Sequence, residues 1–377
     1  MTARKAAFVY SDVLSRHILS PEHPMKPVRL RYVYELLQSY DAFAAANAAL
    51  VDPRQATEEE VLGFHVREYV EAVRSFSLGQ LPAYPSTFNL GAEDNPIYEG
   101  MYEAALWSSG TSLRGAELLI SGEVEAAMSI SGGLHHAMAD RASGFCVFND
   151  PVLAVQALAN QGMRVAYVDI DCHHGDGVQA AFYDTDEVLT ISVHESGAFI
   201  FPGTGFPQET GTGRGRGYSV NVPLYPYTTD DTYLWAFRET VLPLLDAFRP
   251  DALVTQIGID SHYLDPITHL ALTVQGFGEA VAEFQGRAPR WLVLGGGGYD
   301  LQAVARAWTL AFGVLSEQQI PDQVPLSYRE TYGVSALRDA EEPPVRQSMR
   351  DDARKFAERS VLEIQRAVFP THGLRAS

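Results

Sequence analysis

Val165-Ala-Tyr-Val-Asp169-Ile-Asp171-Cys-His173-His174-Gly-Asp176-Gly177 is the stretch on which the reading of this chain turns. Val165–Asp169 is apolar until its last residue, as a strand buried on both faces is. Carboxylates and imidazoles then crowd in. On extended backbone, residues two apart face the same way. Asp171 and His173 therefore project together, at a spacing suited to two ligands of one ion.

Similar short, β-branched runs recur on either side. Strands are expected at Ala6–Tyr10, Ala126–Ser131, Val188–Val193, Tyr218–Val222, Leu253–Ile257 and Trp291–Leu294. Amphipathic stretches alternate with them: Val28–Ser39, Pro96–Ile120, Pro151–Gln161, Thr232–Ala247, Gln275–Gln285 and Gln302–Phe312. Thr57 with Glu60 reads as a capping box before a further helix. Strands alternating with helices predict an α/β fold of three α/β/α layers around a mostly parallel central sheet. Length alone would allow two or three domains. No internal repeat or low-complexity linker divides the chain, and Glu341–Pro344 is its only plausible seam. We therefore expect a single domain, residues 1–377, with a terminal helix at 350–369 packed on the body.

The 28 basic and 47 acidic residues give a net charge of −19, which disfavours nonspecific nucleic-acid binding and favours cationic partners. Solubility is the plainer explanation of that charge. Two cysteines, Cys146 and Cys172, make no disulfide framework and suit a reducing compartment. The apolar stretch Ala6–Tyr10 is too short for a signal-peptide core, and no run reaches membrane-spanning length. These features lead us to expect a soluble, cytoplasmic protein with neither a nucleic-acid nor a membrane partner. Oligomeric state is not legible in the sequence.

In open α/β sheets, ligands bind outside the carboxyl ends of the strands. Here those ends carry His135-His136, Asp169 to His173, His194, Asp260 and Tyr299. Asp171, His173 and Asp260 make a three-ligand set with room for a fourth, the pattern of catalytic zinc. Its carboxylate content also suits Fe²⁺ or Co²⁺. Asp-x-His alone would more often be a capped helix N-terminus, so the metal reading depends on Asp260 and the His pair. Adjacent His135 and His136 suit a pair of imidazoles beside an activated water, and Asp169 and Asp176 are the carboxylates available to fix their tautomers. Tyr299 follows four glycines, which allow close backbone approach; its phenol could donate to an oxyanion. Neither Gly295–Gly298 nor Gly211–Gly217 fits a phosphate-binding glycine pattern.

At these residues the chain resembles the histone deacetylase superfamily, and within it the bacterial acetoin-utilisation deacetylases. The resemblance rests on Gly132-Gly-Leu-His-His-Ala137, Gly144-Phe-Cys-Val-Phe-Asn-Asp150, Asp169–Val178, Phe201-Pro-Gly-Thr-Gly205, Tyr218–Pro223, Asp260-Ser261 and Leu294–Tyr299. It implies an arginase/deacetylase-like fold and hydrolysis of an acetyl-lysine amide in a protein or peptide. It assigns zinc to Asp171, His173 and Asp260, and pairs His135 with Asp169 and His136 with Asp176. Tyr299 would polarise the substrate carbonyl. Phe145 and Phe201 would wall a narrow tunnel past Gly144, although composition alone would make those rings ordinary core. Asp94 would grip substrate backbone at the rim, and Ile267 would stand at the gate with Asp265 near. One structural potassium would sit near Asp169, Asp171, His173, Ser192 and Val193, and a second near Phe182, Thr185, Val188 and Tyr218. An acyl-CoA synthetase is the kind of acetylated partner the resemblance suggests.

Three rivals are weighed against this. An arginase-type binuclear hydrolase would need carboxylates where Gly175 and His262 stand. An acetylpolyamine amidohydrolase of the same superfamily fits the acidic charge but tends to carry a carboxylate at the gate. A non-enzymatic acyl-lysine reader would have lost one of the ligands, the base or the tyrosine, and none is replaced here.

Overall fold

Strand β4 (Val165–Asp169) lies inside a parallel eight-stranded sheet of the order β2-β1-β3-β8-β7-β4-β5-β6. The computed structural model describes residues 4–17, 19–92 and 94–376, and strand counts refer to these. The remaining strands are β1 (Ala6–Val9), β2 (Ala48–Val51), β3 (Ala126–Ser129), β5 (Val188–Glu195), β6 (Ser219–Leu224), β7 (Ala252–Gln256) and β8 (Arg290–Leu294). All neighbouring strands pair in parallel, so each connection must cross over; helices supply the crossovers except between β5 and β6, which a long loop joins. The helices are α1 (Val28–Ser39), α2 (Glu58–Val61), α3 (Arg67–Ser77), α4 (Met101–Ser121), α5 (Asp150–Ala159), α6 (Asp176–Phe182), α7 (Asp230–Phe248), α8 (Val274–Ala282), α9 (Leu301–Leu315), α10 (Leu326–Tyr332) and α11 (Gln347–Val368).

Strand alternation sends side chains into two cores. From β4, Ala166 and Val168 join one core, with residues of α1, α7, α8, α9 and α11. Val165 and Tyr167 join the opposite core, with residues of α4, α5 and α6. Burial on both faces explains why the strands read as continuous apolar runs. The two largest buried side chains keep their indole N–H groups satisfied: Trp291 donates to Thr255 Oγ1 at 3.0 Å and Trp308 to the Ile257 carbonyl at 2.8 Å. Helix α11 buries Ala357, Val361, Ile364 and Val368 in the first core and closes the sheet edge at β6.

The expected α/β sandwich is present, with local differences. β2 lacks period-two alternation and exposes Leu50 at the sheet edge, which is why its sequence carries no strand signal. The Thr57–Glu60 capping box is formed, but α2 behind it is one turn long; the longer α3 starts only after extended Val66. Helix α4 begins at Met101, not Pro96, because Gly100 in a left-handed conformation interrupts the chain just before it. α6 and α10, each seven residues, are too short to display helical periodicity and were not expected. The terminal helix starts at Gln347, three residues before the expected Arg350.

Candidate metal and acid–base site

Strand register brings the functional loops to one level. Ser129 of β3 pairs with Leu294 of β8, Leu294 with Gln256 of β7, Gln256 with Asp169 of β4, and Asp169 with Ser192 of β5. The loops that follow therefore leave the sheet side by side along its carboxyl rim.

There the structure brings Asp171, His173 and Asp260 together, one donor atom from each lying within 4.8 Å of the others. His173 Nδ1 is 2.8 Å from Asp260 Oδ2 and 3.2 Å from Asp171 Oδ1. The other carboxylate oxygens are held in place. Asp171 Oδ2 accepts from Gln256 Nε2 at 2.8 Å and from the Gly297 amide at 2.7 Å. Asp260 Oδ1 accepts from the Cys172 amide at 2.7 Å. A Cβ on Gly297 would collide with the Asp260 carboxylate, so the glycine run lets backbone reach the cluster. Burial raises the Asp260 carboxyl to about 6, with Asp171 adding to it. Burial opposes ionisation of Asp171 too, yet His135 and His173 hold its carboxyl well below the usual range. Two oriented carboxylates and an imidazole with converging donor atoms fit one divalent cation.

Beside this cluster, His135 Nδ1 lies 2.7 Å from Asp169 Oδ2 and His136 Nδ1 lies 2.7 Å from Asp176 Oδ1. The two Nε2 atoms face each other at 3.0 Å, so one must donate to the other. Burial would lower the His135 pKa, but Asp169 and Asp171 outweigh it and raise it to about 9. Burial and the neighbouring His135 lower His136 to about 4. The surroundings of the pair are therefore asymmetric: the carboxylates favour a proton on His135, and burial beside His135 disfavours one on His136.

Residues the sequence reading gave no role hold this pair. Asn149 Nδ2 donates to the carbonyls of His135 and Ala137 at 3.1 and 2.9 Å, while its Oδ1 caps α5 by accepting from Val152. Asp150 accepts from the amides of Gly133 and Leu134 at 2.8 and 2.9 Å. Together they fix the backbone on both sides of the two histidines. Asp265 does the same for the phenol, accepting from the Tyr299 amide at 2.9 Å and the Ile267 amide at 3.1 Å.

Tyr299 lines one small cavity with His136, Gly144, Asp171 and His173. Burial lifts its phenol well above the ordinary value, which keeps the hydroxyl protonated as a donor. Phe145 packs edge-on to Tyr299 with ring centroids 5.9 Å apart, and Phe201 edge-on to His136 at 5.0 Å. Phe201 is 45% exposed, so it stands at the mouth and not in the core. Gly144 lies between the rings: a Cβ there would press into the His136 imidazole and Phe201, and its φ is +50°. Asn95 Oδ1 accepts from the Phe145 amide at 3.1 Å, and the neighbouring Asp94 is exposed, its carbonyl accepting from His23. Ile267 is half-buried in the loop after β7.

Of the residues suggested for potassium, Asp169, Ser192 and Val193 lie at this rim, whereas Phe182, Thr185, Val188 and Tyr218 lie at the amino ends of β5 and β6. Asp169 Oδ1 accepts from the Asp171 amide, and Ser192 Oγ is 2.8 Å from His194 Nδ1. Val193 follows within β5. Phe182 and Thr185 close α6, and the Tyr218 carbonyl accepts from Thr190 two residues after Val188. At the second-metal positions of the binuclear alternative, Gly175 brings no donor side chain and His262 Nε2 is engaged by Asp339 at 3.1 Å.

The parallel α/β sheet gathers at its carboxyl rim two aspartates and a histidine that could hold one metal ion, beside an imidazole pair and a phenol. Comparison with known proteins supplies the family. The Histone deacetylase domain description matches residues 23–315. The acetoin utilization protein AcuC of Bacillus subtilis is 40% identical over 332 residues, covering 85% of each chain. Human histone deacetylase 1 is 37% identical over 336 residues, covering 88% of this chain and 69% of that one. The crystal structure of a histone deacetylase homologue from Aquifex aeolicus superposes with a TM-score of 0.84 at 29% identity, covering 94% of this chain and all of that one. The chain belongs to the histone deacetylase family, as a hydrolase of the deacetylase type. Among the described residues no helix is long and apolar enough to cross a membrane.

Proposed function

We propose that the chain is a zinc-dependent deacetylase that hydrolyses the amide of N-acetyl-lysine, or a similar acyl-lysine, in proteins. The observation that carries this reading is the Asp171–His173–Asp260 cluster beside two carboxylate-paired imidazoles at the foot of an aromatic-walled opening. A zinc ion held there would activate water and polarise the acyl oxygen; Fe²⁺ or Co²⁺ would suit the same donors.

The chain's own groups do the rest. His136 takes the proton of the attacking water and later delivers it to the leaving amine. His135, anchored by Asp169, tunes the charge beside it. Asp176 keeps the His136 ring oriented. The Tyr299 hydroxyl donates to the developing oxyanion. Phe145 and Phe201 align a slim aliphatic stem and exclude water, and exposed Asp94 is placed to accept from substrate backbone amides. Ile267 would stand at the gate, an apolar residue that favours acyl-lysine over acetylpolyamine.

The same reading takes residues 1–377 as one cytoplasmic domain, stiffened by potassium near Asp169, Ser192 and Val193 and near Phe182, Thr185, Val188 and Tyr218. It makes an acetylated enzyme such as an acyl-CoA synthetase a candidate partner. The test is turnover of an acetyl-lysine peptide against acetylspermidine by protein of known metal content. Faster turnover of the acetylspermidine would move the assignment to the polyamine class.

A further inference from the structure

Three aromatic rings beside the mouth have no part in the proposed chemistry. Phe199 lies two residues before Phe201 and is 46% exposed. Its ring meets Tyr225 edge-on at 5.1 Å and Phe356 at 6.4 Å, and Tyr225 meets Phe356 at 5.6 Å. The rings come from three places: the loop after β5, the end of β6, and the terminal helix α11. Phe356 lies beyond residues 23–315, the part matched by the family description. Helix α11 is also tied to the loop after Phe201, through Gln208 Nε2 donating to Glu363 at 2.8 Å. The Arg359 guanidinium lies over the Phe356 ring, 5.7 Å from its centroid.

Tyr225 and Phe356 are half-buried and form a floor under exposed Phe199, and a large apolar ring left in water on such a floor marks a binding surface. This group is continuous with the opening, because Phe201 on the same short loop packs on His136. Two residues of backbone span at most about 7 Å. A polypeptide whose acyl-lysine enters past Phe201 would therefore carry a residue one to three positions away over the Phe199 ring.

We propose that Phe199, Tyr225 and Phe356 form a side-chain subsite that takes an apolar or aromatic residue of the substrate polypeptide close to the acyl-lysine, with α11 completing it. The proposal rests on the acyl-lysine reading above. It gives the family's chemistry a specificity element that depends on the terminal helix.

The experiment compares acetyl-lysine peptides carrying Phe, Leu, Ala or Asp at each of the three positions on either side. Wild-type protein should favour Phe or Leu over Ala in kcat/KM at one or two positions by roughly tenfold, the order expected from burying one apolar side chain. The Phe-to-Ala ratio should fall towards one in Phe199→Ala and in Phe356→Ala. Phe199 is exposed, so its variant tests the subsite even where Phe356→Ala fails to fold. A flat flank profile in an active wild-type protein overturns the subsite and leaves the deacetylase reading standing. No turnover of any acetyl-lysine peptide by metal-loaded protein overturns both. A wild-type dimer that Phe199→Asp converts to monomer, with the flank ratio unchanged, assigns the rings to a second copy of the chain and also overturns the subsite.

Discussion

Replacing Asn149 with aspartate should unseat the imidazole pair while leaving helix α5 capped. Asn149 is fully buried. Its Oδ1 accepts from the Val152 amide at 3.1 Å, and aspartate caps about as well as asparagine, so that bond survives the change. The amide nitrogen does not survive. In its place an oxygen faces the carbonyls of His135 and Ala137, which lose donors now at 3.1 and 2.9 Å. A buried group stripped of its partner costs about 1–3 kcal/mol, so the two together cost about 2–6 kcal/mol. With an unfolding entropy of roughly 2.1 cal/mol/K per residue, a 377-residue chain loses about 3–8 °C of Tm. The activity loss should exceed what lowered stability alone explains, because both carbonyls belong to the segment carrying His135 and His136. Calorimetry and steady-state turnover, run well below the lowered Tm, measure the two effects. Asn149→Asp with the Tm and kcat of the wild type would refute the clasp.

Tyr299→Phe should retain its metal and lose about 10²–10³ in kcat, the usual effect of removing one oxyanion donor; near-wild-type turnover would remove Tyr299 from the mechanism. Gly144→Ala sets a methyl against the His136 ring and Phe201 at a positive φ, so turnover should drop sharply with metal content unchanged. The ratio of bound metal to chain checks that the lesion is local. Burial lowers the His65 imidazole to about 4 from 6.5. The unfolded chain then binds a proton that the folded chain refuses, so stability falls as pH drops through 6.5 towards 4, by about 3 kcal/mol for this group. His65→Phe, which also deprives the Asn149 amide of its 2.9 Å acceptor, should be less stable at pH 7 yet lose less on acidification. Denaturant titrations at pH 7 and pH 4.5 compare the two slopes.

Much of the site was readable in one strand and its exit because a doubly buried parallel strand has little reason to end in Asp-x-Asp-x-His. Period-two geometry then pairs Asp171 with His173, and strand-end placement adds Asp260. The supporting residues were harder to see. Asn149 and Asp150 stood inside a recognised motif without a role, since what they hold, residues 133–137, is more than ten residues away. Gln256 reads as an ordinary residue near the end of a strand, and its bond to Asp171 exists only because β7 and β4 are neighbours. In the fold, α3 was missed because the capping box ahead of it announces the single-turn α2. The aromatic group at Phe199 was invisible for the same reason as Gln256: Phe356 meets it only through the docking of α11.

The central claim is that one metal ion, held by Asp171, His173 and Asp260, serves amide hydrolysis at this rim. The direct measurement counts metal and turnover in the same sample, titrating zinc into metal-stripped protein while following acetate release from an acetyl-lysine peptide. The account predicts that activity rises linearly and stops at one zinc per chain, and that Asp260→Asn neither binds that equivalent nor gains activity. Activity that needs two ions per chain, or full turnover from metal-free protein, would contradict it.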